Sequence, residues 1–331
     1  MKRLCFFIFS FFILFTSYAR GFEADGFSSF IEKLPEGKID WNNGFFYGVG
    51  IGYPHMNSGS KAKALRVAQA GALSSILKVA SGLRVDERRT LADMEREKLI
   101  IRIKGLVRYE PWKREFVKKG ANPFFRVVYR APMNGVEGLT KQLLKQLKDG
   151  SRPWQDVPRP AGGDISEGQD LPWLVLDARD LERGSGVRPA IFPKILSEKG
   201  ETIYEVKKVD ENAMTKRGMA RYVVSDAQRE DLVLRPNRGL FGRLMDFLFS
   251  GPAYAQERHK RKKRSDYIVK DVKQVEGLMQ TNLVISEVDA KNIQKEDASN
   301  QILKKCRVIV IVSRSLGGIE GKALQHLAFY R

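Results

Sequence analysis

The chain has 331 residues, a hydrophobic fraction of 43% and a formal net charge of +19. That composition supplies ample apolar side chains for real cores and excludes an intrinsically disordered chain. The length suggests two folded domains, and the positive charge points to polyanionic partners.

Lys2 and Arg3 open the chain, Leu4 to Phe15 is almost wholly apolar, and Ser17 and Ala19 are small residues two apart. This is the pattern of a secretory signal peptide over residues 1–19, cleaved after Ala19. The apolar run is shorter than the ~20 residues that span a bilayer; an uncleaved anchor is the alternative. Cys5 lies inside the apolar run rather than after it, so no lipid attachment is expected. Once the leader is removed, Cys306 stands alone and no intrachain disulfide can form. An exported chain without disulfides fits a bacterial periplasm. The polyanions met there are lipid headgroups, phosphorylated lipopolysaccharide and cell-wall polymers, and nucleic acid is not an expected partner.

The first folded region spans 41–148. "FFYGVGIGY" (45–53) reads as a strand. A helix follows over Ser60 to Gly82, with Ser60 as its N-cap and Leu65, Ala68, Ala72, Ile76, Val79 and Leu83 at helical spacing. "LIIRIKGLV" (99–107) alternates, with Leu99, Ile101, Ile103 and Val107 on one face and Arg102 and Lys104 on the other. "FFRVVYR" (124–130) does the same, setting Phe125, Val127 and Tyr129 against Arg126 and Arg130. Both read as strands with one solvated face. A second helix is expected over 136–148, with Leu139, Leu143, Leu144 and Leu147 inward. These cations mostly make a solvated sheet surface, with a polyanion site as the alternative.

Residues 149–171, rich in Pro, Gly and Asp, form a linker. The second region, 172–331, holds strand-like runs at "WLVLD", "AIFPKIL", "ETIYEV", "MARYVV", "YIVKDV" and "TNLVIS", with a hairpin turn at "EKGE" (198–201). A helix is expected over 289–304. "RVIVIVS" (307–313) then follows, apolar enough to be buried on both faces. Cys306, just before it, reads as a buried small hydrophobe. An insertion at 236–265 interrupts the region. There Leu240, Phe241, Leu244, Met245 and Leu248 would form one helical stripe, followed by the basic residues Arg258, Lys260, Arg261, Lys262, Lys263 and Arg264. Apolar stripe beside basic cluster is the pattern of a membrane-surface segment; a loop or a helix docking on a protein partner is the other reading.

Gly48, Gly50 and Gly52 recur at every second position. A dinucleotide fingerprint needs G-x-G-x-x-G directly between strand and helix with an acid about 20 residues on, and a Walker loop needs G-x-x-x-x-G-K-[ST]; neither spacing is present. Glycines two apart in a strand instead bare one face to a close neighbour. Ala64, Ala68 and Ala72 give the following helix a matching small stripe, so these six residues read as a packing motif. The strand "YGVGIG", the helix with alanines at every fourth position, and the two strands and helix that follow resemble the Lpp-twenty lipoprotein-like family, which includes the N-terminal domain of the periplasmic flagellar assembly protein T. The resemblance covers 41–148. Segments of the second region ("LVLDARD", "RPAIFPKI", "GETIY", "KKCRVIVIV") resemble a stretch found in exported bacterial proteins without an assigned activity. The chain lacks the lipobox of the family's lipoproteins, and the basic insertion departs from the pattern. The resemblance implies a non-catalytic envelope protein tied to outer-membrane or flagellar structures and carries over no catalytic residues.

Candidates for chemistry are few. His55, His259 and His326 are scattered, and neither zinc-ligand spacing nor a G-x-S-x-G elbow is present. Asp177, Arg179 and Asp180, after the strand "WLVL", form the best polar cluster. A carboxylate at a strand end can be a base or a metal ligand, but an ion pair that fixes a loop is the favoured reading. The expected architecture is α+β, two small domains, each an antiparallel or mixed sheet with helices on one face. The expected function is binding and assembly in the envelope, without cofactor, metal or catalytic residue. Its partners would be envelope or flagellar proteins, or an anionic membrane surface or cell-wall polymer. A cell-wall enzyme using the Asp177 cluster is the alternative.

Overall fold

The structure is a computed structural model that describes residues 27–100, 102–118, 120, 122–149, 172–181, 186–225 and 267–312. The leader, the linker from residue 150 and the insertion at 236–265 lie outside these residues.

Among the described residues the chain forms an α+β fold with three sheets. The first has strand order β2-β3-β4-β6-β5, antiparallel throughout, from Ile31–Leu34, Gly37–Asp40, Phe45–Gly52, Phe124–Pro132 and Glu110–Val117. The helix α1 (Lys61–Ser81) lies on one face of it. Its Ser60 cap accepts from Lys63 N, and Gly82 closes the last turn by donating to Lys78 and Ala80 carbonyls. Ala64, Ala68, Ala72 and Ile76 are fully buried at spacing four. Two short helices, α2 (Leu91–Arg96) and α3 (Ile103–Leu106), and the longer α4 (Leu139–Asp149) complete the region.

The second sheet, β1-β10-β14-β7-β11, starts from Phe27–Ser29 and has a parallel body of Arg221–Ser225, Val308–Val312, Trp173–Asp177 and Tyr267–Asp271. β7 and β14 are buried at every position, as an apolar run inside a parallel sheet must be. The third sheet, β12-β13-β8-β9, runs through Gln274–Glu276, Asn282–Ile285, Ile195–Ser197 and Thr202–Tyr204. The β8–β9 turn places Gly200 at φ +81°, where a side chain would be strained. α5 (Glu211–Arg217) and α6 (Glu287–Asn300) fill the connections to β10 and β14.

The extended segment 27–34 belongs to two sheets. Phe27–Ser29 (β1) pairs antiparallel with β10, Phe30 N donates to Tyr222 O, and β2 then enters the first sheet. One buried hydrophobic cluster accordingly runs from Phe30 and Trp41 through Leu83 and Leu139 to Leu174 and Val312. Arg84 ties the regions together. Its Nε donates to Pro189 O at 2.8 Å, and its other nitrogens fork onto Glu32, whose carboxylate also accepts from Trp41 Nε1 at 3.0 Å. Trp41 meets Tyr222 edge-on at 6.2 Å.

Several sequence readings are corrected. The run 99–107 is not a strand. Ile100, Ile103, Leu106 and Val107 are buried, and Ile103–Leu106 is a single helical turn whose first N–H is accepted by Glu95 Oε1. The same letters carry both an alternating and a three-to-four spacing, and the core selects the second. The strand expected there is supplied by β5, whose alternation is broken by a bulge between Pro111 and Lys113. "AIFPKIL" and "ETIYEV" yield only three-residue strands, and the last helix ends at Asn300 rather than 304.

The contact between β4 and α1 is one of backbone against backbone. A Cβ at Gly50 would lie 2.0 Å from Ala68 O and 2.2 Å from Ala72 N, neither of which can swing aside. Gly50→Ala is therefore expected to cost about 3 kcal/mol, the upper part of the usual overpacking range. Gly105→Ala, inside the α3 turn where an added Cβ meets nothing within 4 Å, should not destabilise and should gain up to about 1 kcal/mol. Urea unfolding followed by circular dichroism measures both.

Candidate functional site

Four places bear on function. The first is the glycine strand. Added Cβ atoms at Gly48 and Gly52 would fall 2.2 Å from Ile76 N and 2.0 Å from Ala64 O. The bare face is thus filled by the α1 backbone along its whole length, and the space that a phosphate would occupy holds peptide groups. Gly71, not singled out in the sequence, completes the fit: its own Cβ would sit 3.4 Å from Gly50 Cα. Its place beside Ala72, in the run of alanines at spacing four, was the available signal.

The second is the carboxyl end of the parallel sheet, where open α/β sheets commonly hold ligands. Asp177 is the last residue of β7 and stands opposite Asp271, the last of β11. Asp177 is buried and fully engaged by a neighbour two residues on. Its Oδ1 accepts from Arg179 Nε at 2.8 Å and from Arg179 N at 3.2 Å, and its Oδ2 accepts from Arg179 Nη2 at 2.6 Å. This bidentate pair uses the planar guanidinium fork. Asp180 is exposed and outside the pair.

The third is Cys306, buried at the entry to β14 with φ +53°. Burial pushes its thiol up to about 12, so it is a protonated, inert group at neutral pH. His55 is exposed and leans on Tyr53 with rings 5.4 Å apart; His259 and His326 lie outside the described residues. Among the described residues, no three His, Cys, Asp or Glu side chains are grouped to hold a metal ion, and no helix is long and apolar enough to cross a membrane.

The fourth was not assembled from sequence. On the face of the first sheet turned away from α1, Arg130 lies 3.9 Å over the Trp112 ring and 5.0 Å over Phe45 while its Nε donates to Glu110 at 2.6 Å. Tyr47 packs edge-on to Trp112, and Lys38 lies 4.7 Å over the Tyr47 ring. Burial first, and then Asp40, raises the Tyr47 phenol above the ordinary tyrosine range, against the opposing charge of Arg130. Arg126 pairs with Glu115 on the same face, while Arg102 and Lys104 are exposed around α3 and do not join it. Trp112 was missed because the bulge hides the period of β5. The amphipathic stripe Leu240, Phe241, Leu244, Met245, Leu248 and the basic residues Arg258 to Arg264 lie outside the described residues.

Residues 173–314 match a protein family described as Treponema pallidum Tp0624, second domain. The match starts on the first residue of β7 and passes the end of β14, so it spans the region built on the parallel sheet. No curated protein matches the chain.

Arg179→Ala would strand a buried carboxylate and is expected to cost about 3–5 kcal/mol. Adding Asp177→Asn to that variant should recover a large part of the loss, because the uncompensated charge goes with it. Equal stability of the single and double variants in urea would make the pair incidental. Cys306 should resist thiol reagents at pH 8 in the native protein and react promptly in urea. Because its pKa is raised by folding, the stability it contributes is complete below the ordinary value of 9.0 and is lost as pH climbs toward about 12. Cys306→Ala should flatten the alkaline limb of stability against pH by up to about 1.4 kcal/mol per unit.

Proposed function

We propose that this chain is an exported, non-catalytic protein of the bacterial envelope that acts by binding and assembly. The observation that carries this reading is what the strongest candidates for chemistry are already doing. Asp177 spends both carboxylate oxygens on Arg179, and the glycine strand gives its bare face to α1. The described part of the molecule also turns to solvent a sheet face on which Ile31, Ile51 and Trp112 stand exposed beside Lys33, Lys113 and Arg126, which suits contact rather than turnover. The leader pattern at residues 1–19 supports export to the periplasm. The resemblance of 41–148 to the Lpp-twenty family supports an outer-membrane or flagellar setting.

A cell-wall enzyme is the competing reading, and it draws on the position of Asp177 and Asp271 at the carboxyl end of parallel strands. Crosslinking in whole cells, followed by fractionation and identification of captured neighbours, separates the two. The expected result is recovery in the envelope fraction, beginning at Arg20, crosslinked to envelope or flagellar proteins. Recovery in the cytoplasm with the leader intact would overturn export. Cell-wall hydrolysis by the purified protein that vanishes in a folded Asp177→Asn variant would overturn the non-catalytic assignment.

A further inference from the structure

We propose that the open face of the β2-β3-β4-β6-β5 sheet is a binding surface for an anionic lipid bilayer. An antiparallel sheet with one face on a helix normally turns polar side chains to water on the other. Here β4, at the centre of the sheet, does the reverse. Gly48, Gly50 and Gly52 face α1, so Phe45, Tyr47, Val49 and Ile51 of β4 face outward. Register adds Ile31 of β2, Val128 of β6 and, through the bulge, both Trp112 and Lys113 of β5. Three of these are large apolar side chains left substantially in water: Ile31 at 37%, Ile51 at 45% and Trp112 at 52% exposure.

The charges on the face select the occupant. Lys33, Lys38, Lys113, Arg126 and Arg130 share it with only Asp40, Glu110 and Glu115. All three acids are spoken for: Asp40 accepts from Asn43, Glu110 from Arg130, and Glu115 pairs with Lys113 and Arg126. The surplus is cationic, and it continues around the β5 edge in Arg114 and Lys118, both exposed. A second copy docked on this face would set like charge against like. An anionic bilayer instead meets the cations at its headgroups and accepts the aliphatic residues and the indole at the interface, where Trp is at home. A sugar polymer stacked on Trp112 is disfavoured, because Arg130 already covers one ring face at 3.9 Å.

This surface includes no residue of the basic insertion and does not depend on the identity of any protein partner. The test is sedimentation of the purified chain from residue 20 onward with vesicles of phosphatidylcholine alone or with 30% phosphatidylglycerol added (a mole fraction of about this size gives an anionic surface). The wild type should bind the anionic vesicles at least tenfold more tightly than the neutral ones. Ile51→Ser/Trp112→Ala and, separately, Lys113→Gln/Arg126→Gln should each weaken binding tenfold or more while melting as the wild type does. Lys63→Gln/Arg66→Gln, which removes the same charge from the solvent side of α1, should leave binding within twofold. Absence of binding by the wild type overturns the proposal. So does equal loss in the α1 variant, which would mark unspecific attraction, or loss only when residues 238–264 are deleted, which would assign the membrane to the insertion.

Discussion

The approach of the β4 backbone to the α1 backbone is the constraint on which the rest of the first region depends. At Gly48, Gly50 and Gly52 the helix sits where side chains would otherwise stand. Ala64, Ala68 and Ala72 add no more than a methyl group on the other side, and all three are fully buried. Apolar burial in such a contact is small per residue, so its stability comes from dense dispersion contact over a long stretch rather than from a few large side chains. The larger side chains enter beyond the glycines, where Ile76, Val79 and Leu83 lead α1 into the main core and toward Arg84.

Arg84 is where that helix delivers its second consequence. A buried guanidinium must have its hydrogen bonds satisfied, and the acceptors come from two separate stretches, Glu32 of β2 and Pro189 of the second region, while the Trp41 ring lies 5.7 Å from the guanidinium carbon. Trp41 in turn packs on Tyr222 of β10, and β1 pairs with the same strand. The position of α1 thus reaches the second region through the Arg84 side chain, the Trp41–Tyr222 contact and the β1–β10 pairing. The hydrophobic core follows the same path without a break.

Legibility in the sequence followed the length and regularity of each signal. The α1 helix, its Ser60 cap and its Gly82 end were readable because apolar spacing and cap chemistry agree over 21 residues. β7, β10, β13 and β14 were readable because fully buried strands leave short dense apolar runs. The failures have a common cause. "LIIRIKGLV" supports two periods, and only the tertiary core, with Glu95 reaching across to Ile103 N, decides between them. β5 was lost because an inserted residue at its bulge shifts the alternation by one, which moves every later side chain to the other face. β1 to β3 are three or four residues long and depend on partners far along the chain, which no local window contains. Asp177 and Arg179 were found as a cluster because they lie two residues apart in sequence. Trp112, Arg130, Tyr47 and Lys38 were not, because they meet only across four paired strands.

The two faces of the first sheet are consequences of one pattern. In a strand of period two, emptying one face of side chains concentrates all the bulk on the other. The sequence FFYGVGIG spends its even positions from Gly48 onward on contact with α1, and so Tyr47, Val49 and Ile51 have nowhere to go but outward. A strand that needed only to be a stable sheet element could carry Thr, Ser or Lys at those outward positions with little loss, since β-branched and polar residues both suit a solvated pleat. Aromatic and aliphatic residues there raise the cost of leaving the face in water. The partial remedy is visible: Arg130 lies across Trp112 and Phe45, and Lys38 across Tyr47, so that cations shield the rings. Shielding of this kind keeps the rings compatible with water while holding positive charge at the same surface, and a surface built that way gains most when both its rings and its cations find partners together.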